Sequence, residues 1–274
     1  MIVFTKMQGI GNDFIVIENL KNEIIYSYQK LSKYLCNRNF GIGADGVLYI
    51  EKSEIEDFKM RIFNSDGTEA EMCGNGIRCF AKYLYENKLL EKTEMNIETL
   101  AGVKNIKLIL EGKKVSLVQV NMGKPCFEYD KIPIFYKENE EGVKIDNKLV
   151  YPISMGNPHA VCFVNSVENI NIEKEGPLIE KYKYFPNKTN VEFVEIICRN
   201  KIKVRVWERG VGETLACGTG ACAAAVISNI KKNLEDKIEV KLKGGILKIE
   251  YDKKSELVYL KGEAEKVFVG KIDI

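Results

Sequence analysis

Two cysteines stand in matching surroundings, and their type and spacing suit proton transfer at carbon. Cys73 and Cys217 are each followed by Gly-x-Gly, in the segments MCGNG and ACGTG. Each segment leads into a stretch whose apolar residues repeat with helical spacing. Two thiols that face one site can take a proton from one face of a carbon and return one to the other. The pair therefore predicts acid–base chemistry carried out by two cysteines.

The cysteines belong to an internal repeat of about 145 residues. Arg61 and Arg205 each lie 12 residues before their cysteine. Further upstream, a Gly-Asn pair ends at Asn12, 61 residues before the first cysteine, and another ends at Asn157, 60 residues before the second. A chain of 274 residues is long enough for two domains of ordinary size. The repeat therefore predicts two matched halves.

Composition and charge limit the class of protein. The chain has 41 Lys and Arg residues against 39 Asp and Glu, a net charge of +2, with no basic stripe and no acidic tail. No window approaches the roughly 18 apolar residues of a membrane span. The N-terminal segment MIVFTK lacks the basic and apolar regions of a secretory signal. We expect a soluble, cytoplasmic protein with no nucleic-acid partner and no membrane partner.

The eight cysteines allow disulfides or zinc, and both are disfavoured. Disulfide frameworks are typical of small secreted domains. Zinc sites commonly use close pairs such as C-x2-C, whereas the nearest pairs here are C-x5-C from Cys73 and C-x4-C from Cys217, and the chain has one histidine. We expect no metal site. The remaining cysteines are interpreted as small buried hydrophobic residues: Cys36, Cys79, Cys126, Cys162, Cys198 and Cys222.

Each half is predicted to consist mostly of strands around one helix of small residues. The runs 2–7 and 13–18 indicate strands joined by a hairpin-like turn, and 191–198 and 201–206 indicate strands in the second half. Pro177 suits the first position of a helix. The helix after the second cysteine is so rich in alanine that another element must pack very close to it. This pattern favours the α+β class over a βαβ array.

The place of each cysteine explains why a thiol would be useful there. The first turn of a helix presents unpaired backbone N–H groups and the positive end of the helix dipole. We expect this position to lower the thiol pKa. The flanking glycines let a bound carboxylate approach the same N–H groups, where charge on an α-carbanion would also be stabilised. One C-G-x-G is commonly a tight turn into a helix, but two in matched halves favour a functional site.

Five segments resemble the diaminopimelate epimerase family, in order and at the family's spacing. They are KMQGIGNDF at 6–14, RIFNSDG at 61–67, MCGNGIRC at 72–79, SMGNPH at 154–159 and ERGVGETLACGTG at 208–220. The family interconverts LL- and meso-2,6-diaminopimelate on the route to lysine and, in bacteria, to peptidoglycan. The resemblance implies this substrate and no cofactor.

The resemblance also implies an architecture and an assembly. It implies two pseudo-symmetric domains, each a β-barrel-like sheet wrapped around a central helix, with the active site in the cleft between them. We place the first domain at 1–120, joined by 265–274, and the second at 121–264. The family is commonly homodimeric, and Phe268 matches an aromatic position associated with that interface.

The family's functional residues map onto this chain one by one. Cys73 and Cys217 match the two catalytic residues, either of which is base or acid according to direction. The backbone that would hold the carboxylate at the reacting centre belongs to Gly74, Asn75, Gly218 and Thr219. The side chains that match substrate-gripping positions are Asn12, Asn64, Asn157, Asn190, Glu208 and Arg209. His159 and Glu208 match residues that tune the thiol pKa values.

The chain departs from the family pattern at two positions. Some members have histidine where this chain has Gln8, and some have a substrate-contacting glutamine where this chain reads Ala44-Asp45-Gly46. A glycine cannot make that side-chain contact, so Gly46 is not assigned to the site.

Other interpretations remain open. The asparagines could be ordinary turn residues, Glu208 and Arg209 a solvated surface pair, and His159 a hydrogen-bonded loop residue. Proline racemase also uses two cysteines, but typically with histidine after the first Cys-Gly, where this chain has Asn75. A pyridoxal-phosphate racemase would require a Schiff-base lysine and a phosphate-binding motif. The lysines of this chain are scattered without a motif and do not support this interpretation. Outside enzymology, the duplicated cysteines could form a structural disulfide or redox switch in a binding protein.

Overall fold

The computed structural model describes residues 1–136 and 142–274. Within them the chain forms eighteen strands and four helices. The strands are β1 Ile2–Gly9, β2 Asn12–Glu18, β3 Gly46–Glu51, β4 Phe58–Asn64, β5 Glu69–Ala70, β6 Glu94–Glu98, β7 Lys104–Glu111, β8 Lys114–Gly123, β9 Val143–Ile145, β10 Lys148–Ser154, β11 Pro158–Phe163, β12 Asn190–Cys198, β13 Lys201–Glu208, β14 Gly212–Thr214, β15 Lys237–Lys241, β16 Ile246–Asp252, β17 Leu257–Gly262 and β18 Glu265–Ile272. The helices are α1 Tyr28–Cys36, α2 Gly74–Glu86, α3 Ile172–Glu180 and α4 Gly218–Lys232. The predicted α+β class is confirmed.

The chain divides into two compact units. The first comprises Met1–Val120 and Lys261–Ile274, and the second comprises Asn121–Leu260. The first unit contains α1 and α2, and the second contains α3 and α4. Each unit therefore combines many strands with two helices, one of which follows a Cys-Gly-x-Gly segment.

In the first unit, β1 pairs antiparallel with both β2 and β18. Strand β2 then runs parallel to β3, β3 antiparallel to β4, β4 parallel to β6, and β6 antiparallel to β7. The turn between β1 and β2 uses Ile10 and Gly11, with φ of 48° and 87°. Positive φ at both central residues is the geometry of a tight hairpin turn, which confirms the predicted turn between these strands.

The second unit repeats this order of pairings. Strand β10 is antiparallel to β11, β11 parallel to β12, β12 antiparallel to β13, β13 parallel to β15, and β15 antiparallel to β16. Each step has the same direction as its counterpart in the series β1, β2, β3, β4, β6 and β7. The internal repeat of the sequence is thus a repeat of strand pairing.

The helices that follow the cysteines are packed into their units. Helix α2 lies against β1, β2, β3 and β4, and Ile77, Phe80 and Leu84 on its inner face are fully buried. Helix α4 is buried along its first three turns, and each residue from 220 to 229 is buried. Alanine supplies its face because β11, β12 and β16 lie close to it. The prediction that another element packs close to this helix is confirmed.

The prediction that Pro177 starts a helix is wrong. Helix α3 begins at Ile172, so the proline lies inside it, in a helix of 9 residues that ends three residues later. Glu173 and Glu175 in the first turn favour the earlier start, because acidic side chains complement the positive end of the helix dipole. Gly176 brings this helix against Trp207, where a Cβ would lie 2.5 Å from the indole ring.

Candidate active site

Helices α2 and α4 begin in the same way. Cys73 and Cys217 are their N-cap residues, with extended backbones at φ of −139° and −121°. Each sulfur accepts a hydrogen bond from the backbone N–H three residues on, at Gly76 and Gly220, and both N···Sγ distances are 3.4 Å. A side chain at the N-cap thereby satisfies a helix N–H group that has no partner within the helix. The predicted position of both cysteines at helix N-termini is confirmed.

The glycines of these first turns are required by close packing. A Cβ on Gly76 would lie 3.2 Å from Leu48 Cδ2, and a Cβ on Gly220 would lie 2.7 Å from Glu192 Oε1 and 3.4 Å from Cys217 Sγ. A contact below about 3 Å cannot form without moving the neighbour. A side chain at Gly220 would therefore displace Glu192, whereas one at Gly76 would be tight against Leu48.

In the first unit, the Cys73 thiol lies among amides. The thiol donates to Asn12 Oδ1 at 3.7 Å, and Asn75 Nδ2 donates to the same oxygen at 3.3 Å. The Asn12 side chain is itself oriented by Asp45, whose Oδ2 accepts from Asn12 Nδ2 at 2.7 Å. The structure thus brings together three of the predicted site residues, Cys73, Asn12 and Asn75.

Arg78 supports this group and was missed by the sequence analysis. Its side chain is fully buried, and Nη1 donates to the Gly74 carbonyl at 2.9 Å and to Asn75 Oδ1 at 3.0 Å. Its Nε donates to the Glu263 carbonyl at 3.1 Å. The guanidinium therefore fixes both the first peptide of α2 and the side chain of its second residue. The available signal was a charged residue directly after Ile77, within the stretch of helical apolar spacing.

Asn64 is placed differently from the other predicted residues of the first unit. It is exposed at the end of β4, where its Nδ2 donates to Thr68 Oγ1 at 3.0 Å. Its backbone N–H donates to the Thr68 carbonyl at 2.8 Å. These bonds close a turn, so the structure shows a turn role for Asn64, and its contact with substrate stays a prediction.

In the second unit, Asn190 joins two segments that carry predicted residues. It is buried, and its Nδ2 donates to the Pro158 carbonyl at 2.8 Å while its Oδ1 accepts from the backbone N–H of Arg209 at 2.9 Å. The Arg209 side chain is exposed and reaches the Asn187 carbonyl at 3.4 Å. Asn190 therefore sets the position of the turn that carries Arg209.

The Cys217 thiol lies beside carboxyl groups. The partly buried Glu208 accepts from Thr214 Oγ1 at 2.6 Å, and Thr219 Oγ1 lies 3.5 Å from the Cys217 sulfur. Burial raises the pKa of Cys217 well above its usual value, and the carboxyl groups of Glu208 and Glu192 raise it further. Hydrogen bonds from Thr219 and the Gly220 N–H act in the opposite direction. The expected lowering of the thiol pKa is therefore wrong for Cys217, because desolvation and like charge outweigh the helix terminus.

His159 lies between two polar side chains, one of which the sequence analysis missed. Its Nε2 is 2.9 Å from Asn157 Oδ1, and its Nδ1 is 2.7 Å from Glu192 Oε1. The side chains of His159 and Glu192 are both fully buried. Burial raises the pKa of the Glu192 carboxyl, and the nearby Glu208 contributes in the same direction. The signal for Glu192 was one acidic residue inside the apolar run 191–194.

The described residues address three alternatives, namely disulfide bonds, a metal site and a membrane-spanning helix. All eight cysteines lie in these residues and carry free thiols. Within 1–136 and 142–274, the structure has no cluster of three or more His, Cys, Asp or Glu side chains that could bind a metal ion. The helices of the same ranges are all too short or too polar to cross a membrane.

The chain matches known proteins along nearly its whole length. A family model described as diaminopimelate epimerase matches residues 4–128 and 151–267. The chain is 47% identical over 279 aligned residues to a diaminopimelate epimerase from Methanococcus maripaludis, covering 99% of each chain. It is 49% identical over 276 residues to a diaminopimelate epimerase from Caldanaerobacter subterraneus, again covering 99% of each chain.

Solved structures with low sequence identity share the fold. A phenazine biosynthesis protein of the PhzF family from Bacillus anthracis matches with a TM-score of 0.72 at 18% identity, covering 100% of this chain and 99% of that one. A hydroxyproline epimerase from Agrobacterium vitis, with bound trans-4-hydroxy-L-proline, matches with a TM-score of 0.69 at 11% identity, covering 98% and 91%. At such identities the likeness extends to the fold alone.

Proposed function

This chain belongs to the diaminopimelate epimerase family, and we propose that Cys73 and Cys217 are the two groups that exchange protons with its substrate. The protein is an isomerase that interconverts LL- and meso-2,6-diaminopimelate in lysine biosynthesis. The observation that carries the proposal is the matched start of α2 and α4, where each cysteine sulfur accepts a backbone N–H at 3.4 Å.

The proposed reaction moves one proton off Cα and one onto it. The thiolate of one cysteine takes the proton from Cα, so an S–H bond forms as the C–H bond breaks. The electron pair left on carbon is shared with the adjacent carboxylate. The thiol of the other cysteine then delivers its proton to the opposite face and becomes a thiolate. The two cysteines finish in exchanged protonation states, so the reverse reaction uses the same groups with opposite roles.

The helix N-termini are suited to hold the carboxylate next to the reacting carbon. The N–H groups of Gly74, Asn75, Gly218 and Thr219 are among those that a helix leaves without internal partners. A carboxylate bound at either helix start also meets the positive end of that helix dipole. The same groups would stabilise the charge that the carboxylate gains when the carbanion forms.

The remaining matched residues are proposed to bind the substrate and to set its position. Asn12 Oδ1 accepts from Asn75 Nδ2 at 3.3 Å, and Asn157 Oδ1 lies 2.9 Å from His159 Nε2. Asn190 orients the turn that carries Arg209, whose exposed guanidinium is proposed to pair with the carboxylate of the non-reacting centre. Asn64 is included on the family match alone.

We further propose that the protein works in the cytoplasm and as a homodimer. Eight free thiols suit a reducing compartment. On β18, Val267, Phe268 and Val269 are 57%, 46% and 59% exposed, so apolar side chains on both faces of the strand are left in solvent. Such a patch is typical of a surface that a second subunit covers.

The proposal is tested by supplying LL-diaminopimelate to the purified chain with no added cofactor. We expect conversion to the meso form and none of proline. Cys73→Ala and Cys217→Ala should each lower kcat by at least about 10³-fold, because each removes the proton-transfer group of one face. Cys198→Ala, which removes an exposed thiol, should match the unmodified protein.

Two results would contradict the proposal. Near-normal epimerisation by either alanine variant would reject the two-cysteine mechanism. Racemisation of proline without turnover of diaminopimelate would instead favour the proline racemase alternative.

A further inference from the structure

Glu192 places a carboxyl group directly behind the turn that carries Cys217. Its Oε1 lies 2.7 Å from His159 Nδ1 and 2.7 Å from the position that a Cβ on Gly220 would take. That same position is 3.4 Å from the Cys217 sulfur. The carboxyl is fully buried on β12, facing the first turn of α4. The reaction as proposed above gives it no role.

The second oxygen of this carboxyl has no partner. Oε2 is buried, and within residues 1–136 and 142–274 nothing lies at hydrogen-bond distance from it. An ionised carboxylate with an unpaired buried oxygen is strongly disfavoured unless another charge compensates it. The available compensation is a proton held between Glu192 and His159.

The hydrogen bonds of Glu192 and His159 indicate how many protons this pair carries. The Asn157 oxygen faces His159 Nε2, so that nitrogen carries a hydrogen. One more proton then lies between Nδ1 and Glu192 Oε1, either on the ring beside a carboxylate or on the carboxyl beside a neutral ring. Both arrangements have zero net charge and differ in the position of one proton along a bond of 2.7 Å.

We propose that Glu192 is a positioning residue that forms a neutral, proton-sharing dyad with His159 behind the Cys217 thiol. The dyad fixes the imidazole between β11 and β12 and holds the ring against Asn157. Its neutrality leaves Glu208, on β13, as the other carboxyl group close to Cys217. The titratable groups around the dyad are then Glu208 and Cys217 itself.

The dyad predicts how activity depends on pH. When the shared proton is lost at high pH, a negative charge appears behind Cys217 and disfavours its thiolate. The unmodified enzyme should therefore lose activity on the alkaline side as the dyad ionises. In Glu192→Gln no such charge can appear, so the alkaline limb of kcat should move to higher pH. The catalytic part of this inference rests on the proposed function.

The dyad itself can be observed without any assay, because His159 is the one histidine in the chain. Proton and ¹⁵N NMR of the imidazole should show a strongly deshielded proton in the Glu192–His159 bond between about pH 6 and pH 8. Glu192→Gln should lack that resonance and show a neutral ring. Absence of the deshielded resonance from the unmodified protein over this range would overturn the proposal.

The kinetics of two substitutions at Glu192 distinguish a positioning role from a purely structural one. Glu192→Leu, which leaves the ring without a partner at Nδ1, should lower kcat by roughly 10- to 100-fold. Glu192→Gln, whose amide can still bond the ring, should recover most of that loss near neutral pH. Glu195→Gln on the same strand, whose carboxyl accepts from the Val167 backbone N–H, should change neither kcat nor its pH profile. Equal kcat losses in the Gln and Leu variants, with an unmoved alkaline limb, would contradict the role.

Failure of the proposed function would leave a different pattern. A protein that shows the deshielded resonance but does not convert diaminopimelate would retain the dyad and lose the catalytic assignment. A protein that converts diaminopimelate but lacks the resonance would retain the catalytic assignment and lose the dyad.

Discussion

At the residue scale, the two capping cysteines have unlike neighbours although their helices start alike. The Cys73 thiol meets the uncharged amide oxygen of Asn12, whereas the buried Cys217 lies beside the Glu208 carboxyl. Burial of the sulfur and a carboxyl group beside it both favour the protonated thiol. We therefore expect Cys217 to hold its proton in the free enzyme and to begin as the acid. The stereoisomer whose Cα proton faces Cys73 would then be turned over first.

The ion pairs beside Asn12 give a prediction about stability and pH. Although burial raises it, hydrogen bonds from Arg38 and Lys6 lower the pKa of Asp13 to about 2, from a model-compound value of 3.8. A carboxyl whose pKa is depressed on folding contributes stability above the unfolded pKa and loses it as pH falls towards the folded one. Asp13→Asn should therefore lower the free energy of unfolding at neutral pH.

The sign of that effect sets the measurement. Urea unfolding of both proteins should give a difference in midpoint that is constant above about pH 5 and shrinks as the pH falls from about 4 towards 2. Substitution of the exposed Asp130 by Asn serves as the control. A difference that is the same at acid and neutral pH would show that Asp13 acts by packing and not by its charge.

At the element scale, the second unit uses α3 to hold the turn between β13 and β14. The buried Glu180 of α3 accepts from Trp207 Nε1 and from the Gly210 backbone N–H, both at 2.9 Å. Glu208 and Arg209 lie in the segment between these two donors. A helix far from α4 in sequence therefore positions two of the proposed substrate-binding residues.

This arrangement predicts a large effect from a small substitution on α3. In Gly176→Ala the added Cβ would lie 2.5 Å from the Trp207 ring, so the indole and its bond to Glu180 must move. We expect a loss of about 1–3 kcal/mol in the free energy of unfolding and a raised KM for diaminopimelate. Lys174→Ala, on the exposed side of the same helix, is the matched control. An unchanged KM in a destabilised Gly176→Ala protein would show that α3 does not position the substrate-binding residues.

How much the sequence predicts depends on whether the signal is local. The starts of α2 and α4, the β1–β2 hairpin and the alanine-rich packing of α4 follow from motifs a few residues long. The roles of Arg78, Glu180 and Glu192 were missed because their partners lie elsewhere in the sequence. A single charged residue in an apolar run does not indicate which residue it will contact. The pKa of Cys217 was misjudged for the same reason, since its burial and its carboxyl neighbours come from three separate segments. Pro177 was misplaced because a common helix position was preferred over the acidic residues upstream of it.

At the scale of the whole molecule, the two ends of the chain meet in one sheet. Strand β18 pairs with β1, from Ile2 opposite Ile272 to Gln8 opposite Glu265. The Phe268 ring contacts Phe4 edge-on, with centroids 5.9 Å apart, yet it remains 46% exposed. The ring is thus anchored on one side and open on the other, as expected for a residue at a subunit interface.

The predicted homodimer is tested at this residue. One chain has a mass of 31.1 kDa, so light scattering of the unmodified protein should give about twice that value. Phe268→Glu should shift the population towards monomer, because an interface core tolerates an unpaired charge poorly. Ile55→Glu, at another exposed apolar residue, should leave the mass unchanged. A monomeric unmodified protein would contradict the prediction.

Deuterium uptake from the solvent tests whether two thiols act on opposite faces of one carbon. LL-diaminopimelate is incubated with the enzyme in D2O, and substrate and product are analysed by mass spectrometry early in the reaction. The thiol that donates exchanges its proton with solvent before substrate binds, whereas the abstracted proton stays on the other sulfur. Catalysis by two thiols predicts one deuteron at the inverted centre of the meso product and little deuterium in the remaining substrate. Product that keeps its original proton at that centre, or deuterium that enters substrate and product equally from the start, would contradict it.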